Sequence, residues 1–471
     1  MITVIEIALL AAAVLLLAAP LFAAESLPDN LRRMLEKSAS LALIKFPIGF
    51  WSYTNLTDHA RHMDEAEVEE WADAGFTVPM SPSFDPGDAD QLFYMRKLLA
   101  WAEKRGIKLI ITDPRTHAPG RGGKEEVVAL PTDKAQKIAA AANDFRESRA
   151  VFGFHIGDEP DRFTNDAFFE TYRLSKEAAP KLHPFMNLLP CFDGVEDIVG
   201  YPTWADYLDA AVQKADLDFL CYDCYAQMNP GTTGCDMYYE NLRLFREAAW
   251  RNGVPFWTTV LSVGHFRYRC PDYDELRWQF NTALASGANG ILWFFYYMRQ
   301  PHGNFRLSPV DQHWDRTQTY YDLRRVHKDF HRYYGDLFLR LAPTRVTFYP
   351  EAFGGGQVWT QNELVSEIKP DKDGHPVLLG EFVDIEGQRY IMLVNNSMTE
   401  SVNVRLTFPG ADVQIFSWDW SGQEREGGAY AAERFTRDAD GLRVPHWLAP
   451  GQEAVYRVDS AAIRSAAITA K

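Results

Sequence analysis

Five cysteines in 471 residues are too few to build a disulfide scaffold. Cys191, Cys221, Cys224, Cys235 and Cys270 all fall in the central part of the chain, and their odd number leaves one thiol over whatever pairs form. Cys221 and Cys224 have the C-x-x-C spacing of redox and zinc sites. They sit in a strand-like stretch, however, where residues three apart point to opposite faces. Basic blocks are missing too. With 48 Lys+Arg against 64 Asp+Glu and a net charge of -16, nothing is available to neutralise a phosphate backbone, so nucleic acid is not an expected partner. No G-x-G-x-x-G or G-x-x-x-x-G-K-[S/T] follows a strand, which leaves nucleotide binding without support. No Gly-x-Ser-x-Gly elbow is present, which argues against a Ser-His-Asp hydrolase.

Long apolar runs are scarce. The only one that reads as more than a buried strand is Ile7–Ala24, which ends in small residues before Glu25-Ser26. That is the pattern of a secretory signal cleaved near Ala23 or Ala24, so residues 1–24 are read as a signal peptide and the protein as exported, periplasmic or extracellular. The preceding MITVIE has no Lys or Arg and carries Glu6, so a retained N-terminal membrane anchor is the alternative. No integral span is expected once the signal is removed.

Aromatic residues, by contrast, are plentiful: 13 Trp, 21 Tyr and 30 Phe make 14% of the chain. Flat aromatic walls suit ligands with apolar faces, sugars among them. The length exceeds that of one ordinary domain and predicts a large domain with an accessory module.

From about residue 42 to 298, short apolar runs alternate with amphipathic helical stretches, the pattern of repeated β-α units. Eight strands are predicted: Leu43–Phe50, Thr77–Met80, Lys108–Thr112, Val151–Ile156, Pro184–Leu189, Phe219–Tyr225, Pro255–Leu261 and Gly290–Phe295. Eight parallel strands in this length match a (β/α)8 TIM barrel over residues 25–340, whose site is built at the C-terminal strand ends. After a helix near Thr319–Leu339 the pattern changes to short alternating segments split by Gly, Pro and Asp, which predicts a C-terminal antiparallel β-sandwich over 341–460. Pro343 marks the expected boundary, and 461–471 reads as a flexible tail.

The sharpest local feature is Gly157-Asp158-Glu159-Pro160, where the fourth strand runs out into two adjacent carboxylates. Repulsion between neighbours, with partial burial, would hold one of them protonated near neutral pH, as a general acid requires. Alternation along the strand leaves open that Asp158 instead orients a neighbouring side chain. Asp223, in Cys221-Tyr222-Asp223-Cys224-Tyr225 at the end of the sixth strand, is the candidate second carboxylate. Asp113, at the end of the third strand, is a candidate hydroxyl ligand or a partner of Arg115. Trp51, Tyr53, Tyr222, Tyr225, Trp293 and Tyr297 are candidate sugar-stacking residues, and Asn187 and His265 candidate hydroxyl ligands.

With these residues on the page, the chain resembles the clan-A glycoside hydrolases, in which the fourth barrel strand ends in Asn-Glu-Pro and the Glu is the general acid/base. It is more similar still to a poorly characterised branch of glycosidase-like barrels with Gly-Asp-Glu-Pro there and Tyr-Asp-x-Tyr at strand six. The resemblance spans about 43–298 and implies Glu159 as acid and Trp293 as part of a sugar subsite. It also implies a nucleophilic Glu at the end of strand seven. Here that stretch reads Trp257 to His265 with no carboxylate, and the next acids, Asp272, Asp274 and Glu275, read as a helix cap.

The expectation is therefore a glycoside hydrolase acting on an oligo- or polysaccharide with Glu159 and Asp223 as its carboxylates, and with no cofactor and no metal. An inactive glycan-binding barrel is the alternative. A metal-dependent hydrolase drawing on His155, Asp158, Glu159, Asp223 and His265 is a weaker third. Oligomeric state stays open.

Overall fold

Alternation of apolar residues shapes the first two thirds of the chain. In the computed structural model, which describes residues 27–231, 234–299, 304–418, 421–426, 435–461 and 463, seven short parallel strands carry one residue set toward surrounding helices and the other toward each other. They are β1 (Ile48–Phe50), β2 (Leu109–Ile111), β3 (Val151–Asp158), β4 (Phe185–Asn187), β5 (Leu220–Asp223), β6 (Phe256–Leu261) and β7 (Ile291–Phe294). Ile48, Leu109, Leu220, Val260 and Ile291 join the helix-facing core. Ile110, Phe152, Phe185, Cys221, Trp257, Leu261 and Leu292 belong to a second cluster, together with residues of the adjoining loops such as Trp51 and Tyr225. The expected signal peptide lies outside the described residues, as does nearly all of the expected tail.

The strands form two parallel sheets, β1-β7-β6-β5 and β2-β3-β4. Backbone hydrogen bonds link them on both sides. Leu188 N donates to Cys221 O between β4 and β5 at 2.8 Å. Thr77 N donates to Ile48 O at 2.8 Å, while Ile110 N donates to Pro79 O at 3.0 Å. Thr77–Met80, predicted as the second strand, is thus hydrogen-bonded on both flanks, but Met80 makes its one isolated bridge, to Ile110. Pro79 has no N–H to give, which keeps a regular ladder from forming there. Among the described residues, no helix is long and apolar enough to cross a membrane.

Helices Ala89–Arg105 and Trp204–Ala215 are two of the amphipathic stretches that lie between the strands. The first is capped by Asp88 and stopped by Gly106 at φ 68°, a conformation that favours glycine.

From Ala342 onward the strands are almost all antiparallel. One sheet has the order β15-β14-β18-β12-β11-β8-β9, from β8 (Ala342–Tyr349) and β9 (Gln357–Val358) through β11 (Val377–Val383), β12 (Arg389–Asn395), β14 (Gln414–Trp418), β15 (Glu424–Glu426) and β18 (Glu453–Asp459). The other, β10-β13-β17-β16, holds β10 (Glu367–Pro370), β13 (Val402–Pro409), β16 (Thr436–Arg437) and β17 (Gly441–Leu448). Leu379, Ile391 and Tyr456 of the first sheet share one buried cluster with Val404, Leu406 and Val444 of the second. Pro343 lies inside β8, opposite Phe382 beside a register shift.

Helix Tyr273–Ala285 ties the two parts together. Trp278 Nε1 donates to Asn396 Oδ1 at 3.0 Å and Asn281 Nδ2 to Gly451 O at 2.9 Å. Gly380 on β11 approaches this helix so closely that a Cβ would lie 2.3 Å from Ala285 O.

Candidate active site

Two irregularities in β3 decide which way its carboxylates face. The register of β3 slips against β2 near Val151–Gly153, and against β4 between His155 and Gly157. His155 faces inward, its ring against Trp51 at 5.2 Å and Phe185 at 5.9 Å. Strict alternation would then turn Asp158 outward. The second slip instead sets Asp158 beside Asn187, whose Nδ2 donates to Asp158 Oδ1 at 2.9 Å. The same Nδ2 donates to Asp223 Oδ1 at 2.6 Å. The backbone N of Glu159 donates to Asn187 O at 2.9 Å. Glu159 itself sits at φ 47°, a strained value for a residue with a Cβ, and strain of this kind concentrates at functional sites. Asp158, Glu159 and Asp223 thus meet at the C-terminal ends of β3 and β5, tied by one asparagine.

Asn187 is buried and its donor is spent on two carboxylates, so it positions them and is not a free hydroxyl ligand. Asp158 and Glu159 are both exposed to solvent, yet the protein packed around them buries part of each side chain. That burial, with the charges of Asp223 and Asp158 added, pushes the Glu159 carboxyl up to about 8. Burial and the Asp158 charge raise Asp223 to about 7, against the opposing pull of hydrogen bonds from Asn187 and Tyr225. Asp158 is raised as well, by burial. The three carboxyls titrate as one interacting group, in which Glu159 holds its proton more tightly than Asp223.

Tyr53, 39% exposed, stands over this group. Its phenol is pushed up to about 12 by burial and by the charge of Asp158, with Arg299 pulling the other way. Arg299 lies over the Tyr53 ring at 4.0 Å. Phe294 stacks on Tyr225 at 5.1 Å and meets Tyr53 edge-on at 6.1 Å. His265 is enclosed by Tyr225, Tyr268, Phe294 and Phe305, and its burial lowers it to about 4, so it stays neutral. Trp51 is buried beneath the site against His155 and Tyr53.

Four sequence candidates are not brought to the carboxylates. Trp293 is fully buried, its Nε1 donating to His327 Nε2 at 2.8 Å in the helix-facing core. Tyr222 stacks on Phe245 at 3.8 Å in the same core. Both lie one residue off the inward positions Leu292 and Cys221, and the twofold period of a strand turns them away. Tyr297 accepts from Trp71 Nε1 and donates to Glu67 Oε1, each at 2.6 Å, although its edge lines a side cavity. Asp113 has a fully enclosed side chain held by Arg115 at 2.7 Å, so it is an ion-pair partner with no surface for a hydroxyl.

Phe294 and Arg299 were missed from sequence. Period-two counting from Leu292 identifies Phe294; no spacing signal marks Arg299, which lies beyond the strand. Asp272 caps helix Tyr273–Ala285, accepting from Glu275 N at 3.0 Å, while Glu275 accepts from Asp272 N at 3.1 Å. These acids are therefore a capping box. Among the described residues, no three His, Cys, Asp or Glu side chains form a group that fits a metal ion.

No family model matches the sequence, and none of the curated proteins matches it. Solved structures do. The chain superposes on a beta-galactosidase from Bacillus circulans sp. alkalophilus with a TM-score of 0.55 and 9% identity, covering 88% of this chain and 99% of that one. It also superposes on a protein described as a glycoside hydrolase, with a TM-score of 0.52 and 12% identity over 88% of this chain and 93% of that one. At these identities the likeness is one of fold: this chain has the fold of glycoside hydrolases.

Proposed function

We propose that the chain is an exported glycoside hydrolase. In this reading, the two parallel sheets and Thr77–Met80 make one (β/α)8 barrel, followed by a β-sandwich, with Glu159 as general acid and Asp223 as second carboxylate. The observation that carries it is the pairing at the strand ends: Asn187 fixes Asp223 beside Asp158, and Glu159 follows directly, with the higher proton affinity of the two candidate catalytic groups. Glycoside cleavage needs such an unequal pair. Protonated Glu159 gives its proton to the leaving oxygen as the bond to the anomeric carbon breaks, and ionised Asp223 either attacks that carbon or takes a proton from attacking water. Carboxyl groups about 5–5.5 Å apart in the substrate complex correspond to retention, and about 6.5–9.5 Å to inversion. The shared fold with a beta-galactosidase supports the class of reaction and leaves the sugar open.

The second reading, a barrel that binds glycans without cleaving them, is favoured by one observation. The chain after β6 offers His265, neutral and boxed in by aromatic rings, where the enzymes the sequence resembles carry a carboxylate. A proton-NMR time course separates the two. Wild type and Glu159→Gln are each incubated with plant, algal and bacterial polysaccharides. Sugar release by wild type alone supports hydrolysis, and the first anomer to appear reports retention or inversion. Saturation-transfer signals from both, with no release from either, select the binding protein.

A further inference from the structure

Beside the carboxylates lies a cavity of about 280 Å³ lined by Tyr53, Asn55, Asp58, Arg299, Asp311 and Trp314, among others. Tyr53 belongs to both places: its ring forms part of the cavity wall and its phenol feels all three carboxylates. The polar groups of the cavity differ in how far they are already used. Asp311 Oδ1 accepts from the backbone N of His313 at 2.8 Å and of Asp315 at 3.0 Å. Asp58 Oδ2 accepts from Asn55 Nδ2 at 3.1 Å. Arg299 is exposed and lies over two rings, Tyr53 at 4.0 Å and Phe305 at 5.8 Å, and no carboxylate among the described residues pairs with it. A guanidinium that lies over an aromatic face keeps the N–H groups along its edge free to donate. That edge matches a planar or tetrahedral anion two bonds at a time.

We propose that Arg299 binds an acidic group, a carboxylate or a sulfate, on the saccharide seated beside Glu159, which makes the substrate an acidic saccharide. The inference rests on the glycosidase reading of the same site and adds the substrate class. An anion is tolerated there because Glu159 holds its proton near neutral pH, which leaves the site less negative than three ionised carboxyls would make it.

The test uses matched aryl glycosides that differ at one carbon: a hexoside, its uronide and its 6-sulfate, each in gluco, galacto and manno form. kcat/KM is measured for wild type, Arg299→Met and Arg299→Lys, with melting curves checking that all three are folded. A wild-type preference for an acidic member that falls about 10- to 100-fold in Arg299→Met, and partly in Arg299→Lys, supports the proposal, and the preferred member distinguishes carboxylate from sulfate. Hydrolysis with no acidic preference, or with a preference that Arg299→Met leaves intact, overturns it while the glycosidase reading stands. If no glycoside is cleaved, calorimetric titration with a polyuronate, a sulfated galactan and a neutral galactan decides. Binding of an acidic polymer that Arg299→Met loses upholds the role of Arg299 with the hydrolase reading fallen. Absence of such binding overturns it.

Discussion

The side-chain amide of Asn187 donates to Asp223 at 2.6 Å, and that bond lowers the proton affinity of the proposed second carboxylate. The bond favours the ionised carboxylate and opposes the burial that raises Asp223 to about 7. Asn187→Ala removes the donor from Asp223 and from Asp158 together. The low-pH limb of kcat/KM then moves to higher pH, and kcat at neutral pH falls about 10- to 100-fold, the worth of a hydrogen bond to a charged group. A pH–rate profile of the variant reads both effects, and a uniform loss with an unmoved limb would assign Asn187 a purely structural role.

The two carboxyls also bound the wild-type profile. Asp223 must be ionised, so activity falls below about 7, and Glu159 must be protonated, so activity falls above about 8. The bell of kcat/KM is therefore narrow and centred at or just above neutrality. A plateau extending well into the acid range would show that Asp223 is not the group whose ionisation counts.

Glu159 makes the protein less stable in alkali. Its folded-state carboxyl lies at about 8 against an ordinary value of 4.5, so its contribution is intact below about 4.5 and is lost as pH rises through 8. Glu159→Gln, which carries no charge, melts like wild type at pH 4. At pH 9 it is more stable by about 1 kcal/mol, a figure discounted heavily because solvent reaches the group. Calorimetric melts at the two pH values check the sign; a variant less stable than wild type at pH 9 would contradict it.

Trp293 belongs to the core. Trp293→Phe leaves His327 Nε2 without its buried donor and costs about 1–3 kcal/mol of stability in a denaturant melt, with the KM for saccharide unchanged. A raised KM with unchanged stability would return Trp293 to the sugar subsite.

How far the sequence reveals this site depends on the regularity of each strand. On β5 and β7, alternation is unbroken, so the inward position of Asp223 and the outward ones of Tyr222 and Trp293 follow from counting by two. The resemblance to clan-A enzymes favoured Trp293, and the twofold period overrides it. On β3 the two register slips reverse the count twice, and no residue pattern announces them, so the inward turn of Asp158 could not be read. The helices were more legible, because their caps are local: Asp88 and Gly106 bound Ala89–Arg105 whatever packs against it. Strands Glu367–Pro370 and Gly441–Leu448 are hard to recognise because each contains a proline, Pro370 and Pro445, a residue that ordinarily argues against a strand.

The role of Glu159 is tested most directly by leaving-group dependence. A general acid matters when the departing oxygen is basic and little when it leaves unaided. Glu159→Gln is compared with wild type on one sugar bearing either an alkyl or a dinitrophenyl leaving group. Protonation by Glu159 predicts a loss of kcat/KM of about 10²- to 10⁴-fold on the alkyl glycoside and a loss smaller by at least about tenfold on the dinitrophenyl one. Equal losses on both would contradict the assignment and make Glu159 something other than the acid.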